Sequence, residues 1–166
     1  MKIGLISDTH SFLGDDTLHA LSGVDEIWHA GDIGNLQITD QLQEIAPVRA
    51  VYGNIDNHQI RTEWPEYCFF ELDGNRFLMI HIANRIGGYN PRVRELIAEY
   101  HPGFLICGHS HILKVQYDKR FSLLYINPGA VGHHGFHLVR TLITFEIGEG
   151  RVTNMQVVEL GKRGRE

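Results

Sequence analysis

The sequence predicts an α/β fold, a two-sheet α/β sandwich with flanking helices on its outer faces. Short apolar segments alternate with amphipathic segments over the first fifty residues, which is typical of a parallel sheet covered by helices. The rest of the chain is richer in strand-like segments separated by turns. Its 166 residues, 43% of them hydrophobic and 21% charged, suffice for one domain with a buried core.

The first third of the chain predicts the order βαβαβ. β-Branched and apolar residues favour the strands, whereas Asn35 can cap the second helix and Pro47 ends it. The five predicted elements are a strand over Lys2–Ser7, a helix over Asp15–Leu21, a strand over Glu26–Ala30, a helix over Leu36–Ile45 and a strand over Val48–Tyr52.

The remainder predicts one helix and seven strands. Asp73–Gly74–Asn75 separates two strand-like runs and indicates a hairpin, and Pro91 is typical of a first helical position. The strands are Tyr67–Leu72, Arg76–Ile80, Phe104–Cys107, Ile112–Asp118, Phe121–Ile126, Arg140–Ile147 and Arg151–Leu160, with the helix over Pro91–Tyr100. We expect a single domain over residues 1–160 and a flexible C-terminal tail over residues 161–166.

Composition restricts the partners and the location. A net charge of −5 provides no field that would attract nucleic acid, which argues against a nucleic-acid partner. The chain has no run near the roughly 18 apolar residues of a membrane span and no signal peptide, so no membrane partner is expected. Two cysteines, Cys68 and Cys107, without a CxxC motif fit a reducing cytoplasm, and we predict a cytoplasmic protein.

Polar side chains follow five of the predicted strands, and the chain is rich in histidine, with eleven. Loops at the carboxyl ends of parallel strands share one edge of a sheet, so these side chains are expected to converge. Seven nitrogen and oxygen ligands are too many for one ion and suit two, if one carboxylate bridges them. The seven are Asp8, His10, Asp32, Asn54, His81, His109 and His111.

Local spacing supports this metal-site hypothesis. Residues two apart in an extended segment point to the same side, so His109 and His111 can face one site, as can Asp8 and His10. Glycine precedes Asp32, Asn54 and His109 and permits a tight backbone path. A set of imidazole, carboxylate and amide ligands without thiolate favours Mn, Fe or Zn in a reactive site.

The ordered motifs resemble those of the calcineurin-like metallophosphoesterase superfamily, and within it the small bacterial and archaeal phosphodiesterases. The resemblance extends from Lys2 to about Leu160 and implies the metallophosphoesterase fold. The matching motifs are Ser7–Asp8–Thr9–His10, Gly31–Asp32, Gly53–Asn54, His81, Gly108–His109-x-His111 and Asn127–Pro128–Gly129.

The resemblance implies a dinuclear enzyme. It implies two divalent metal ions, with Mn expected and Fe, Ni or Zn as alternatives, and in-line attack of a metal-bridging hydroxide on a small phosphodiester. It assigns one ion to Asp8, His10, Asp32 and His111 and the other to Asp32, Asn54, His81 and His109. Asp32 would bridge the two ions, and Asp32, Asn54 and His81 would be catalytic as well.

Two positions depart from the family pattern. Ile55 stands where many members have a histidine that protonates the leaving group, which predicts a bias toward leaving groups that need little protonation. Asp56 or His58 could supply that proton instead. Ile82 follows His81 where glycine is common, which puts the path of that loop in question.

Several alternatives remain open from the sequence. The same site could hydrolyse phosphomonoesters, or the fold could serve as a non-catalytic interaction module, as in the eukaryotic retromer subunit that resembles this family. Self-association is also left open. His29 is interpreted as packing beneath the site. The loop histidines His133, His134 and His137 either are solvated or line the substrate entrance, and Arg85 and Arg92 either are solvated or bind a phosphate.

Overall fold

The structure, a computed structural model, describes residues 1–164, in which ten strands form two five-stranded mixed sheets. The first sheet has the order β10-β9-β1-β2-β3 and the second the order β4-β5-β6-β8-β7. This is the predicted two-sheet sandwich. The strands are β1 Lys2–Ile6, β2 Glu26–His29, β3 Val48–Ala50, β4 Tyr67–Leu72, β5 Asn75–Ile80, β6 Phe104–Ile106, β7 Lys114–Asp118, β8 Leu123–Asn127, β9 Val139–Gly148 and β10 Arg151–Lys162. The helices are α1 Asp15–Ala20, α2 Leu36–Gln43, α3 His58–Glu63 and α4 Pro91–Tyr100.

Each sheet contains three parallel strands, and the candidate ligands follow the carboxyl ends of five of these six strands. In the first sheet β1 pairs with β2, and β2 with β3, all parallel. In the second sheet β5, β6 and β8 are parallel neighbours. The candidate ligands follow β1, β2, β3, β5 and β6, so both sheets contribute to one edge.

The main core lies between the sheets. Trp28 is fully buried there and makes edge contacts with Phe77 and Phe145, with ring centroids 4.9 and 5.3 Å apart. A second cluster, including Leu21 and Leu42, covers the outer face of the first sheet. Apolar packing on both faces of the parallel strands explains why they read as continuous hydrophobic runs in the sequence.

The predicted strand ends required correction. β1, β2, β3 and β6 stop one or two residues earlier than predicted, because the chain leaves the regular strand conformation where it turns into the site. Helix α3 was not predicted. The Asn57 side chain accepts a hydrogen bond from the Ile60 N–H at 3.1 Å and caps that short helix. The hairpin is confirmed, with Asp73 and Gly74 at φ 49° and 75°, although β5 begins one residue earlier, at Asn75.

The C-terminal prediction was wrong in part. β10 continues to Lys162, so residues 161 and 162 belong to the sheet and not to a flexible tail. Arg163 is also held, since its N–H donates to the Leu138 carbonyl at 3.0 Å. Arg165 and Glu166 lie outside the described residues. None of the helices within residues 1–164 is long and apolar enough to cross a membrane.

Candidate metal centre

All seven predicted ligands lie together at the shared edge of the two sheets. Six of them form two groups in which the potential ligand atoms lie within 4.8 Å of one another. Group one is Asp8, His10 and His111, and group two is Asp32, His81 and His109. The seventh ligand, Asn54, places its Oδ1 3.1 Å from Nε2 of His81 and so adjoins group two.

In group one, the Asp8 carboxylate is held through one of its two oxygens. Oδ2 accepts hydrogen bonds from the Ser7 hydroxyl at 2.7 Å and from the His109 N–H at 3.1 Å. Oδ1 has no hydrogen-bond donor and lies 3.1 Å from Nε2 of His111 and 3.8 Å from Nε2 of His10. The second oxygen is therefore free to bind a cation.

In group two, the main chain orients the ligands. Nδ1 of His81 donates to the Ala30 carbonyl at 2.7 Å, so Nε2 of the neutral ring carries no proton. That Nε2 lies 3.2 Å from Oδ1 of Asp32, which itself accepts the Ile55 N–H at 3.1 Å. Burial opposes charge on this ring, but Asp32 and Asp8 raise its pKa, so without metal Nε2 can hold a proton toward Asp32. A metal ion bound between these atoms would take the place of that proton.

Asp32 connects the two groups. Its Oδ1 faces His81, whereas its Oδ2 lies 3.4 Å from Nε2 of His10 in group one. The carboxylate is buried, with Asp32 only 2% exposed, so both of its oxygens face the interior of the centre. This position suits a ligand shared by two ions.

Five of the seven candidate ligands adopt left-handed backbone conformations. Their φ angles are 54° for Asp8, 44° for His10, 55° for Asp32, 70° for His109 and 60° for His111. For residues other than glycine this region costs roughly 1–2 kcal/mol each, and such strain concentrates at functional sites. The surrounding fold therefore holds these loops in conformations that the isolated sequence would avoid.

Two glycines make room for the carboxylates. A Cβ atom on Gly53 would overlap the Asp32 side chain, and one on Gly108 would overlap the side chains of Ser7 and Asp8. The glycines before Asn54 and His109 are thus required by close approach. This sharpens the reason inferred from the sequence, which was a tight backbone path.

The carboxylates and imidazoles of the centre shift one another's pKa values. Burial opposes ionisation of Asp8, but His10 and His111 hold the pKa of its carboxyl well below the usual range. His10 and His81 do the same for Asp32. Burial likewise opposes charge on His10, yet Asp32 and Asp8 raise its pKa to about 9. In the metal-free centre the two carboxylates are therefore ionised and are balanced by protons on neighbouring imidazoles, which a bound metal ion would displace.

The donor set fits divalent transition-metal ions. Asp8 Oδ1 and His10 Nε2 are both buried without a hydrogen-bond partner, which is costly unless a ligand satisfies them. Imidazole nitrogens mixed with carboxylate oxygens suit Mn, Fe, Ni or Zn. Both groups provide this combination within reach of a single ion.

His29 lies beneath the centre, as the sequence predicted. It is fully buried, its Nδ1 accepts the Gly31 N–H at 3.1 Å, and its Nε2 lies 2.9 Å from the Thr9 hydroxyl. Thr9 donates in turn to the Ile33 carbonyl at 2.9 Å, so His29 is neutral with the proton on Nε2. Burial lowers its pKa to about 4.

The structure also bears on two of the alternatives near the site. Asp56 is not placed to donate a proton, because its carboxylate accepts three main-chain N–H groups, those of Ile33, Gly34 and Gly53. Arg92 pairs with Glu66 at 3.2 Å and also lines the cavity beside Asn54 and His81, so its phosphate-binding alternative stays a prediction.

Three cavities open around the centre. The largest, about 580 Å³, lies beside His10 and is lined by Phe12 and Ile55, the latter 46% exposed. One of about 420 Å³ adjoins Asn54 and His81, and one of about 310 Å³ adjoins His109 and includes Arg85. Cavities of this size suit small molecules.

Sequence reasoning missed how the loop histidines contact the ligands. The His134 ring stacks on His10 with centroids 4.8 Å apart, and Nδ1 of His137 lies 3.2 Å from Nδ1 of His111. His133 and His134 line the largest cavity, which agrees with the substrate-entrance alternative, but His137 does not. Three histidines within five residues were the only signal available.

Comparison with known sequences agrees with this picture. The calcineurin-like phosphoesterase superfamily domain matches residues 1–150. A probable metallophosphoesterase of Methanothermobacter thermautotrophicus is 33% identical over 135 residues, covering 78% of this chain and 77% of that protein. A phosphodiesterase of Methanocaldococcus jannaschii is 27% identical over 146 residues, covering 78% and 83%.

Solved structures share the fold at lower identity. An archaeal phosphodiesterase superimposes with a TM-score of 0.72 and 22% identity, over 95% of this chain and all of that one. Vps29 of Entamoeba histolytica in complex with Zn²⁺ has a TM-score of 0.74 and 18% identity, over 97% of this chain and all of that one. At these identities the likeness concerns the fold alone.

Proposed function

Since the chain belongs to the calcineurin-like phosphoesterase superfamily, we propose that it is a metal-dependent phosphodiesterase acting on small phosphate diesters. The observation that carries the proposal is the paired arrangement of buried carboxylate and imidazole ligand atoms in both groups. A divalent ion in each group would satisfy Asp8 Oδ1 together with His111, and His81 Nε2 together with Asp32. A module without metal chemistry would have no need of two such pairs.

The ligand sets that we propose follow the two groups. One ion would be held by Asp8, His10 and His111, and the other by His81, His109 and Asn54. Asp32 would bind both ions. Two bound divalent ions, Mn²⁺ being our first expectation, supply an activated water near neutral pH and neutralise charge on the phosphoryl group. The main-chain and side-chain hydrogen bonds described above orient the ligand side chains toward the two ions.

The preference for diesters with acidic leaving groups follows from which residues could protonate the leaving group. Ile55 lines the cavity beside His10 and cannot donate a proton. Asp56 is already occupied by three main-chain donors. Because neither Ile55 nor Asp56 can act as the acid, esters of aryl or otherwise acidic alcohols are the favoured substrates, since general-acid catalysis typically contributes 10²–10⁴-fold.

A second candidate function is binding of a protein partner. Large apolar side chains are exposed along β7 and the loop before β9, including Tyr117 at 56%, Phe136 at 102% and Leu138 at 83%. Exposed apolar surface of this kind is typical of interaction sites. The cytoplasmic location and the state of self-association stay predictions.

The test is a rate assay on protein stripped with a chelator and reloaded with Mn²⁺. An aryl phosphodiester is compared with the matching monoester, for the wild type, for Asp32→Asn and for Asp40→Asn as the exposed control on α2. We expect metal-restored diester hydrolysis that exceeds monoester hydrolysis, retained in Asp40→Asn and reduced at least 10²–10³-fold in Asp32→Asn. Two bound ions without turnover of either ester would indicate a narrower natural substrate, whereas no bound metal and no turnover would favour the interaction function.

A further inference from the structure

The loop between β8 and β9 covers group one. A Cβ atom on Gly135 of this loop would overlap the His111 ring, so the loop lies directly against that ligand. The His137 and His111 rings are 5.0 Å apart between centroids and nearly perpendicular, at 76°. The loop therefore also contacts His111 through the polar side chain of His137, which is not one of the seven candidate ligands.

The hydrogen bonds of His137 fix where its proton lies. Its Nε2 is 2.9 Å from the Gly132 carbonyl oxygen, which can only accept, so Nε2 carries the proton. Nδ1 of the neutral ring then has a lone pair and can only accept. Since that Nδ1 lies 3.2 Å from Nδ1 of His111, the His111 nitrogen must be the donor. Nε2 of neutral His111 is left unprotonated, facing Asp8 Oδ1 at 3.1 Å.

We propose that His137 is a positioning residue that fixes the tautomer and orientation of His111 and thereby sets the affinity of group one for its metal ion. The proposal rests on the dinuclear centre of the proposed function. Metal-binding histidines usually donate their second N–H to a carboxylate, a carbonyl or water, and changes to such partners typically cost 10–100-fold in affinity. Here the partner is an imidazole, itself anchored by a main-chain carbonyl.

The experiment measures metal affinity directly, without an activity readout. Mn²⁺ is titrated into the chelator-stripped full chain in competition with a calibrated chelator. The variants are His137→Ala, which removes the acceptor, His137→Asn, whose Oδ1 can replace Nδ1 as acceptor, and His19→Ala on α1 as a control histidine. Thermal unfolding of each metal-free variant checks that the fold is retained.

We expect His137→Ala to weaken the binding of one metal ion 10–100-fold and to change the affinity for the other ion by less than about twofold. His137→Asn should recover most of the loss, and His19→Ala should match the wild type. If His137 only stabilised the fold, His137→Ala would weaken the binding of both ions together, and His137→Asn would not restore it. Unchanged affinities in His137→Ala, or equal weakening of both ions, would overturn the inference.

The outcome is separable from that of the proposed function. Wild-type protein that binds two ions but hydrolyses no phosphodiester refutes the enzyme while the His137 result stands. Active wild type with a His137→Ala variant of unchanged affinities refutes the inference alone. Wild type that binds fewer than two ions overturns both.

Discussion

Group one and group two use similar ligands but are held in place by different parts of the chain. In group two, main-chain groups orient the ligands: the Ala30 carbonyl holds His81 and the Ile55 N–H holds Asp32. In group one, side chains do much of this work, with Ser7 bound to Asp8 and His137 bound to His111. Group two thus inherits its geometry from the sheet, whereas group one depends on residues that single substitutions can remove.

Asp56 adds further main-chain hydrogen bonds that hold the loops of group two. Its carboxylate accepts from Ile33 and Gly34, which follow Asp32, and from Gly53, which precedes Asn54. The loops after β2 and β3 are therefore joined by one buried anion. The corresponding loop of group one, after β6, is joined to β8 by the Asn127 side chain, which donates to the Gly108 carbonyl at 2.9 Å.

The two groups can be damaged separately by adding one methyl group to each. Gly31→Ala should displace His81 in group two, and Gly108→Ala should displace Asp8 in group one, because the new Cβ overlaps that side chain or its partner. We expect each variant to lose one ion and about 10²–10³-fold in diesterase rate. The overlap should also cost about 1–3 kcal/mol of stability. Metal stoichiometry, steady-state rates and urea unfolding check these results.

Gly148→Ala is the matched control, since a Cβ there meets no atom within 4 Å. Adding His137→Ala to each variant identifies the ion that remains. The ion kept by Gly31→Ala should respond to His137→Ala, and the ion kept by Gly108→Ala should not. If both glycine variants lose the same ion, the division into two separately held groups is wrong.

The ligand types and their convergence could be predicted from the sequence, because the carboxyl ends of parallel strands must meet at one edge. Asp8 and Asp32 are examples, which lie two and three residues beyond the ends of the short buried strands β1 and β2. The left-handed backbone of His109 and His111 could not be predicted, because tertiary contacts impose it against local preference. The role of His137 was hidden for the same reason: only the folded chain brings it 3.2 Å from a residue 26 positions away.

The protein should lose stability below pH 6.5 through His29, which connects the loops of both groups by way of Thr9 and Gly31. Burial lowers its pKa to about 4, whereas the unfolded chain has the ordinary value of 6.5. As the pH falls from 6.5 to 4, the unfolded chain takes up a proton that the folded chain does not. The free energy of unfolding should therefore fall by up to about 3 kcal/mol over that range.

Urea unfolding of metal-free protein at pH 7, 6, 5 and 4.5 measures this loss. His10, whose pKa is raised to about 9, gains stability as the pH falls through the unfolded value of 6.5, so it opposes the loss between pH 7 and 6. Below about pH 5.5 it is protonated in both states and adds no slope. His29→Gln should be less stable at pH 7 but should show a flatter pH dependence than the wild type, and His19→Ala should keep the wild-type slope. Parallel curves for His29→Gln and the wild type would assign the acid sensitivity to other groups.

Ile55 lies where the two groups meet, and substituting it should produce the smallest effect. Its N–H binds Asp32 of group two, while its side chain lines the cavity beside His10 of group one. Ile55→His adds a potential proton donor and leaves the main-chain contact in place. We expect about a tenfold faster reaction for a diester with an alkyl leaving group, short of the full general-acid effect because no partner orients the new ring. Aryl diesters should change less than twofold.

Rates across a series of leaving-group pKa values measure this effect, with Ile55→Val as the apolar control. Wild type and Ile55→Val should show a steep decline in rate as the leaving group becomes more basic, and Ile55→His a shallower one. A flat dependence in the wild type would mean that another residue, with His58 at the start of α3 the nearest candidate in sequence, already donates the proton. In that case the diester preference would have to come from the shape of the cavity and not from the missing acid.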